Sequence, residues 1–442
     1  MNSSSVDQCL ARLDRDIEQS LADYPDRKLY VGLSGGLDSV LLLSRLAALE
    51  TCRTRLTAVH VNHNLHPDAA HWQAFVGQLC ADLNVELIVE AVAVVEDGRG
   101  VESAARDARY QVFEQKVESG GLLLLAHHGS DQGETLLLRL FRGSGLRGLR
   151  GMPVSRPLTR HPDETRLIIR PWLSITRAHL AVAAHSLKWI EDDSNNDQTF
   201  DRNWLRHSLI PLLQARYPAI EQTLIQTSQN LSEDYELLQS LLQPELNKAL
   251  IPTSWPATGR FALSLDALAT QPKRMQFHML RHWFDVNQHP MPQGQRIWHW
   301  LDQCLTAGAD RQPNMAFDGA VLQRHQGALY IWYEQTTPGS VHCVPDRWGR
   351  GRLAADQRAL PNGYQLISAK LAAGRRVQRK PNHSLSLKNI WQANNVPPWL
   401  REHWPLLVFD EEIVAVIGLV NECSLLCDEV DNLSLEWLSD AT

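Results

Sequence analysis

Apolar residues near the start of the chain recur every three or four positions and predict an amphipathic first helix. They are Val6, Leu10, Leu13, Ile17 and Leu21. Short apolar runs then alternate with helical patterns. The runs read KLYVGLSG, RLTAVHVNH, VELIVEAVAV and GLLLLAHH, and the helical patterns cover 40–49, 68–83, 101–118 and 131–142. Unbroken apolar strands that alternate with helices predict an α/β domain with a doubly wound parallel sheet.

The hydrophobic pattern changes after about residue 215. A long amphipathic helix is predicted by Ile220, Leu224, Leu231, Tyr235, Leu238 and Leu242. Helical patterns at 273–286 and 294–306 precede short strands within 319–333, so a small, mostly helical domain is expected over 216–340. A polar segment near 335–360 predicts a linker. The last domain, 360–442, is expected to be α+β, with a hairpin that turns at Asp410–Glu412.

The composition is that of a globular protein of several domains, with 442 residues, of which 44% are hydrophobic. No apolar run reaches the ~18 residues of a membrane span, so no membrane contact is expected. The seven cysteines are scattered and include no C-x-x-C pair, which predicts reduced thiols and a cytoplasmic location. Oligomeric state is left open by these features.

Basic residues concentrate in two stretches, although the formal net charge is −7. Between Arg139 and Arg177 there are nine arginines and only two acids, a local balance of +7. From Lys370 to Arg401 there are seven basic residues and no acid. Such runs are often only solvated faces, but two of them in an acidic chain favour contact with a nucleic acid.

The loop between the first strand and its helix reads SGGLDS over residues 34–39. Its glycines either form a tight turn or allow backbone N–H groups at the helix N-terminus to bind phosphate. A Walker loop is excluded because no lysine follows the glycines. Asp38 either caps the helix or holds a Mg²⁺ ion that lies between it and a phosphate. The short motif leaves both pairs of readings open.

The fourth apolar strand leads into AHHGSDQGETLLLRLFRGSGLRGL. Asp131 and Glu134 are three residues apart and therefore share one helix face. Because ligands bind beyond the C-terminal ends of parallel strands, we expect these carboxylates opposite the glycine loop, as a metal or proton-transfer site. Arg142 and Arg147 lie among glycines, which predicts either a loop that follows a phosphate backbone or a solvated flexible loop.

These motifs, in this order, resemble those of the N-type ATP pyrophosphatases of the PP-loop superfamily, and most closely the tRNA(Ile)-lysidine synthetase family. The matching segments are SGGLDS (34–39), HVNH (60–63), AARDARY (104–110), HHGSDQGET (127–135) and RGSGLRGL (142–149). The likeness continues in WIEDDSN (189–195), DRNWLR (201–206) and IWQANNVPPWLREHWPLLVFDEEIVAVIGL (390–419). The first motif is specific only to the superfamily, whereas the later ones indicate the family.

The resemblance implies roles for individual residues. ATP is expected at Ser34, Gly35, Gly36, Leu37, Asp38, Ser39 and His60. Asp38, Asp131 and Glu134 are expected to be catalytic, and Asp38 and Asp131 to hold Mg²⁺. tRNA is expected at Arg142, Arg147, Arg202, Arg206, Arg375, Arg376, Arg379 and Lys380. The implied domains are a PP-loop catalytic domain over 1–215 and tRNA-binding domains over 216–340 and 360–442.

The implied reaction joins free L-lysine to C2 of the wobble cytidine, position 34, of the isoleucine tRNA with a CAU anticodon. ATP first adenylylates the C2 oxygen, and the lysine amine then displaces AMP, so that lysidine, AMP and diphosphate are the products. The ordinary pKa of that amine is about 10.4, so a proton must leave before attack. Asp131 or Glu134 is expected to anchor lysine or to accept the proton.

One position departs from the family pattern, which usually has two adjacent aspartates in the fourth-strand motif. Here Ser130 takes the first place and only Asp131 remains. A serine hydroxyl supplies no charge to a metal. We expect the first aspartate to be dispensable, because Asp38, Asp131 and Glu134 are all present.

Three other functions fit parts of the sequence. A tRNA sulfurtransferase shares the glycine loop but needs paired cysteines, and an amide ligase shares it but needs neither the arginine runs nor the C-terminal domain. A non-catalytic RNA-binding protein would not need an intact loop. Incorporation of labelled lysine into tRNA, with release of AMP, separates these alternatives.

Overall fold

The computed structural model describes most of the chain. The described residues are 3–64, 66–94, 100–159, 165–193, 197–253, 258, 261–287, 289–292, 295–308, 311–333, 347–348, 351–352, 363–372, 374, 376–380, 383–402, 404–410, 412–416 and 419. They form two compact units, residues 1–241 and 242–442. Most of the predicted linker near 335–360 lies outside the described residues, as does Arg375.

The first unit is built on the predicted α/β pattern. Its strands are β1 (Leu29–Gly32), β2 (Leu56–Asn62), β3 (Glu86–Ala91), β4 (Leu122–Leu124), β5 (Ser155–Pro157) and β6 (Leu167–Ile169). Its helices are α1 (Ser3–Leu21), α2 (Leu37–Ala48), α3 (Glu50–Arg53), α4 (Ala69–Asp82), α5 (Val101–Lys116), α6 (Gly129–Phe141), α7 (Leu146–Leu149), α8 (Arg177–Ala183), α9 (Asp201–Trp204), α10 (Ile210–Arg216) and α11 (Ile220–Ala249), which runs into the second unit. A π-helical turn, Leu205–Leu209, joins α9 to α10.

These six strands form one sheet in the order β3-β2-β1-β4-β6-β5. Neighbouring strands from β3 to β6 are parallel, and only β5 is antiparallel to its neighbour. Alternate residues of β1 face opposite cores: Leu29 and Val31 pack with α1, α2 and α8, whereas Tyr30 packs with α5. This alternation confirms the predicted sheet with helices on both faces.

The sheet topology explains why the predicted motifs meet. Because β1, β2 and β4 are parallel neighbours, the segments that follow them leave the same edge of the sheet. The glycine loop follows β1, His60 lies near the end of β2, and α6 with its carboxylates follows β4. This edge is therefore the place where the first unit gathers its polar side chains.

The second unit contains two five-stranded sheets. The first has the order β7-β8-β11-β10-β9 and the second has the order β14-β17-β18-β15-β16. The first comprises β7 (Leu250–Pro252), β8 (Phe261–Ser264), β9 (Asn314–Phe317), β10 (Ala320–His325) and β11 (Ala328–Tyr333), with α12 (Leu265–Ala269), α13 (Lys273–Val286) and α14 (Gln295–Thr306) packed beside it. The second comprises β14 (Tyr364–Ser368), β15 (Arg376–Lys380), β16 (His383–Ser386), β17 (Pro405–Phe409) and β18 (Glu412–Val416), with α15 (Leu387–Ala393) and α16 (Pro398–Arg401). A short pair of strands, β12 (Arg347–Trp348) and β13 (Gly351–Arg352), precedes the second sheet.

The patterns read from the sequence hold in this unit as well. The helices at 273–286 and 295–306 and the strands before residue 333 are present. The predicted hairpin is the antiparallel pair β17 and β18, and Asp410 adopts a positive φ of 45° at its turn. Trp391, which lies within the basic stretch 370–401, is 6% exposed and belongs to the core of the second sheet. The α/β domain is thus followed by a helical segment and a small α+β domain, as expected.

Candidate active site

The glycine loop turns sharply because Gly35 adopts a φ of +92°. A Cβ at this position would lie 2.5 Å from Ile190 Cδ1, so only glycine fits without displacement. Ile190 also donates its backbone N–H to the Gly35 carbonyl at 2.9 Å. The segment that follows α8 therefore holds the loop from outside, a contact that links residues far apart in sequence.

Two serine hydroxyls fix the loop from inside. Ser39 Oγ accepts the Ser34 N–H at 3.2 Å and donates to the Gly36 carbonyl at 3.0 Å. Ser34 Oγ lies 3.0 Å from Ser39 Oγ and accepts the Gly36 N–H at 3.3 Å. The hydroxyls that were expected to bind ATP thus first give the loop a fixed shape.

The N-terminus of α2 presents free backbone donors to this edge. Within the described residues, no protein acceptor takes the N–H groups of Leu37, Asp38 or Ser39. These groups and the dipole of a twelve-residue helix favour an anion. Of the two readings of the glycines, the geometry favours the phosphate cradle over the simple turn.

His128 is the residue that joins the glycine loop to α6. It caps α6 in a reciprocal box: its Nδ1 accepts the Asp131 N–H, and an Asp131 carboxylate oxygen accepts the His128 N–H at 3.0 Å. Its Nε2 lies 3.7 Å from Asp38 Oδ2 and 3.6 Å from Asp131 Oδ2. Burial alone would lower the pKa of His128, but Asp131, Asp38 and Glu134 raise it overall. His128 thus holds the two aspartates on either side of one ring nitrogen.

Asp38 and Asp131 fit the expected pair of cation ligands. Asp38 Oδ1 is buried without a hydrogen-bond partner in the described structure, and Asp38 does not cap α2 with its side chain. Burial alone would raise the pKa of Asp131, but His128, His127 and Arg202 lower it, so this carboxylate is ionised. No group of three or more protein ligands occurs among the described residues. Two carboxylates that are completed by substrate phosphates are what Mg²⁺ prefers.

Glu134 has a different environment from Asp131. Its carboxylate is 1% exposed and accepts from Arg206 Nε at 2.7 Å and from Arg206 Nη2 at 3.0 Å. Arg202 Nε lies 3.2 Å from the same carboxylate, without the alignment of a hydrogen bond. Asp131 is 14% exposed, and its Oδ1 lies 3.5 Å from Arg206 Nη2. Both carboxylates therefore accept hydrogen bonds, Asp131 from Arg206 and from the His128 N–H, but Asp131 is the more exposed of the two.

Arg202 and Arg206, expected at tRNA, therefore face the acidic pair. Burial alone would lower the pKa of Arg206, but Glu134 and Asp131 raise it. Arg202 also approaches Thr135, with Nη2 3.4 Å from Oγ1. In the described structure these guanidinium groups neutralise carboxylates, and their contact with tRNA stays a prediction.

Ser130 does not direct its hydroxyl toward the aspartates. The hydroxyl donates to Glu221 of α11 and accepts the Arg177 N–H at 3.0 Å. Ser130 is 8% exposed. The position that usually carries an aspartate in the family therefore ties α6 to α8 and α11 in this chain.

His60 is anchored by the sheet. Its Nδ1 donates to the Leu33 carbonyl at 2.8 Å, and the residue is 5% exposed. Burial lowers its pKa, although the Leu33 contact partly offsets this. A neutral, fixed imidazole at the end of β2 is compatible with the wall of an adenosine pocket, and its contact with ATP stays a prediction.

The arginine-glycine loop is shaped by Arg139, whose Nη1 donates to the carbonyls of Gly148 and Gly151, each at 2.7 Å. Arg142 is 70% exposed and pairs with Asp201 at 3.3 Å. Arg147 lies within α7. The expectation that Arg142 and Arg147 contact tRNA is compatible with this exposed position and stays a prediction.

The expected tRNA contacts of the C-terminal domain lie on β15. Arg376 is exposed there, and its partner strand is β16. Arg379 and Lys380 belong to the same strand, but their side chains lie outside what the structure describes, as does the whole of Arg375. The exposed side chain of Arg376 is compatible with the predicted phosphate contact.

Sequence reasoning missed three features of this edge. His128 and Ile190 lie within the family motifs, but nothing local indicates their partners. Tyr110, in AARDARY, lies under the guanidinium groups of Arg106 and Arg156, whose Cζ atoms are 5.0 and 5.4 Å from its ring centroid. The positive charges of Arg106, Arg156 and Arg170 outweigh burial and lower the pKa of Tyr110.

Comparisons with known proteins agree with this geometry. A family model for the PP-loop domain matches residues 10–213, and models for the TilS substrate binding domain and the TilS substrate C-terminal domain match 263–330 and 369–437. The tRNA(Ile)-lysidine synthase of Enterobacter sp. (strain 638) is 34% identical over 421 residues, which are 90% of this chain and 93% of that protein. That of Escherichia coli O157:H7 is 32% identical over 438 residues, 94% of this chain and 97% of that protein.

A solved structure, the U34-tRNA thiolase NcsA from Methanococcus maripaludis, is 16% identical with a TM-score of 0.42, over 52% of this chain and 80% of that one. This likeness is too low to carry an argument. The curated relatives, by contrast, match along nearly their whole length, and the matched domains follow in the order read from the motifs. The chain therefore belongs to the tRNA(Ile)-lysidine synthase family of ATP-using PP-loop ligases.

Proposed function

We propose that this chain joins free L-lysine to C2 of the wobble cytidine at position 34 of the CAU-anticodon isoleucine tRNA. ATP adenylylates the C2 oxygen, diphosphate leaves, and the lysine amine displaces AMP to give lysidine. The observation that carries the proposal is the approach of Asp38 and Asp131 to one nitrogen of His128, at 3.7 and 3.6 Å, beside the free donors of α2. Membership of the family supports the same reaction.

The N-terminus of α2 is the proposed site of the ATP phosphates. The N–H groups of Leu37, Asp38 and Ser39 are oriented for an anion, and the serine hydroxyls hold the loop in place before ATP arrives. Donors fixed in advance stabilise the charge that develops on the leaving diphosphate without reorganisation. We assign these residues to binding and orienting ATP.

Asp38 and Asp131 are the proposed ligands of Mg²⁺. Their fit rests on the buried and unpartnered Asp38 Oδ1 and on the ionised state of Asp131. When bound, the cation would neutralise phosphate charge during transfer. The aspartates themselves are kept apart and oriented by His128, so the site is preorganised for a cation of this charge.

Lysine is proposed to bind at Asp131. Glu134 is 1% exposed and is held by Arg206 and Arg202, whereas Asp131 is 14% exposed, so Asp131 is the carboxylate of the pair that is more accessible to a ligand. Because its pKa is lowered, Asp131 accepts hydrogen bonds from an amine and is a poor base. We therefore assign Asp131 to anchoring lysine, and Glu134 to positioning Arg206 and Arg202 beside it.

The products and the roles are tested by one assay. Purified protein is incubated with ATP, labelled lysine and the CAU isoleucine tRNA; label should enter RNA with equal amounts of AMP and diphosphate. Omission of lysine should leave an adenylylated tRNA that labelled ATP reveals. Label in RNA without AMP, or an equal reaction with the CAU methionine tRNA, would overturn the proposal.

Asp38→Asn provides the matched variant, since it keeps the size of the side chain and loses its charge. It should abolish AMP release while the far-ultraviolet circular dichroism spectrum stays unchanged. A variant that turns over at the normal rate would remove Asp38 from the cation site.

ATP, free lysine and tRNA occur together in the cytoplasm, where we propose that the enzyme acts. None of the helices in the described part of the chain is long and apolar enough to cross a membrane.

A further inference from the structure

Three aromatic side chains are exposed around the junction of α6 and α9. Phe141, Phe200 and Trp204 are 59%, 39% and 45% exposed. The other exposed large aromatic side chains in the described chain are Tyr217 and Phe409. Exposed apolar rings normally occur singly, so three at one junction indicate a binding surface. We call Phe141, Phe200 and Trp204 the aromatic patch.

An exposed ion pair shows that the members of the patch are neighbours. Arg142, next to Phe141, pairs with Asp201, next to Phe200, at 3.3 Å. Trp204 lies one turn further along and donates its backbone N–H to the Phe200 carbonyl at 3.0 Å. The end of α6 and the start of α9 are therefore adjacent, and the patch is a single region of surface.

The rings of the patch are exposed in part and have no aromatic or cationic neighbour among the described residues. None of the three makes a ring contact or a side-chain hydrogen bond with any described residue. Tyr217 differs, because the Arg216 guanidinium lies over its ring with Cζ 5.6 Å from the centroid. Partly exposed rings without such neighbours are suited to stacking on another flat group.

The position of the patch relates it to the acidic pair. Arg202 and Arg206 on the same helical segment contact Glu134, and Trp204 lies midway between them in sequence. A side chain two residues from both points away from them, so Trp204 lies across the helix from Glu134, about 10 Å away. That distance spans about three stacked bases at 3.4 Å each.

We infer that the aromatic patch binds the unpaired bases that flank the target cytidine in the anticodon loop. This inference rests on the proposed function, because it needs that RNA substrate. Aromatic faces interspersed with arginines are how proteins hold single-stranded RNA, with the rings stacking on bases and the cations contacting the backbone. Arg142 is next to Phe141 and 70% exposed, so it places a positive charge beside the rings where a phosphate can contact it.

The test uses a CAU anticodon stem-loop in which 2-aminopurine replaces the adenine that follows the target cytidine. Stacking on an aromatic ring quenches its fluorescence. Wild-type protein should quench it, and Trp204→Ala should lose the quenching and weaken binding about 5- to 100-fold, as expected for one stacked base. Trp204→Phe should retain most of both effects, because any ring offers a face to a base.

Tyr217→Ala is the matched control, since it removes an exposed aromatic side chain that is 57% exposed but lies outside the patch. It should bind the stem-loop like the wild type. A fully base-paired RNA duplex, which offers no unpaired base for stacking, should bind wild type and Trp204→Ala equally. Trp204 is exposed, so its replacement should leave the Tm unchanged.

Two results would overturn the inference. One is a triple alanine variant of the patch that still binds and quenches the stem-loop normally. The other is a wild-type dimer in sedimentation that Trp204→Ala dissociates, which would assign the patch to a second copy of the chain. Failure of the proposed function is separate: wild type would then form no lysidine, whether or not it quenches the probe.

Discussion

Gly35→Ala should lower the stability of the protein, whereas Gly36→Ala should weaken ATP binding, although the two positions are adjacent. Gly35 has a φ of +92°, and an added Cβ would lie 2.5 Å from Ile190 Cδ1. Backbone strain of this kind costs about 1–3 kcal/mol. Gly36 has a φ of −73°, and its added Cβ would meet only Ser34 Oγ, at an ordinary 3.6 Å.

The expected loss of stability for Gly35→Ala is about 2–3 kcal/mol, which combines the strain with displacement of the Ile190 side chain. At roughly 2–4 °C per kcal/mol for a domain of this size, the Tm should fall by about 5–10 °C. For Gly36→Ala, the reduced entropy of the unfolded chain and the poorer helix cap offset each other to within about 1 kcal/mol. Its Tm should therefore stay close to that of the wild type.

Gly36→Ala should instead weaken ATP binding. A methyl group beside the free N–H groups of α2 would keep a phosphate at a distance, and loss of one hydrogen bond to a charged group costs about 1.5–3 kcal/mol, or roughly 10- to 100-fold in affinity. Differential scanning fluorimetry with and without Mg-ATP measures both effects. The reasoning is refuted if Gly36→Ala lowers the Tm without ligand as far as Gly35→Ala does, or if its Mg-ATP shift equals that of the wild type.

Three further predictions concern charge. Glu134→Gln should lower the free energy of unfolding by about 3 kcal/mol in urea titrations, because two arginines lose a buried carboxylate. The double variant with Arg206→Met should recover part of this loss, and a double variant without any recovery would contradict the ion-pair argument. Burial, together with Arg170, Arg202 and Arg106, lowers the pKa of His127 to about 3, against the raising influence of Asp131. The unfolded chain then binds a proton below pH ~6.5 that the folded chain refuses, so stability falls as pH drops from ~6.5 to ~3, and His127→Gln should reduce that slope by about 1.4 kcal/mol per pH unit. An unchanged slope would show that His127 takes up its proton in the folded state. Alanine at four basic positions of the C-terminal domain should raise the KM for tRNA and leave the KM values for ATP and lysine unchanged. In filter binding it should reduce the slope of log affinity against log salt concentration by up to ~3. An unchanged slope would mean that these residues form only a solvated face. The positions are Arg375, Arg376, Arg379 and Lys380.

The α/β fold of the first unit could be read from the sequence because its signals are local. Four unbroken apolar runs alternate with helical patterns, and each became a parallel strand followed by a helix. The sequence also predicted that the motifs meet at one edge of the sheet, because the C-terminal ends of parallel strands lie on the same side. In the second unit the helices were recognised in the same way. Its sheets could be predicted only in part, because β8 pairs with β11 although three helices lie between them in the sequence. Pairing between such distant segments produces no periodic pattern of residues.

The chemistry of the site divides in the same manner. The spacing of Asp131 and Glu134 predicted a shared helix face, and the segment SGGLDS predicted a glycine turn or a phosphate-binding loop at a helix N-terminus. The partner of Glu134 is Arg206, seventy-two residues later, and the partner of the Ser130 hydroxyl is Glu221, ninety-one residues away. A sequence determines local conformation through neighbouring residues. The ionisation and availability of a buried group depend on charges that only the folded chain brings within a few ångströms.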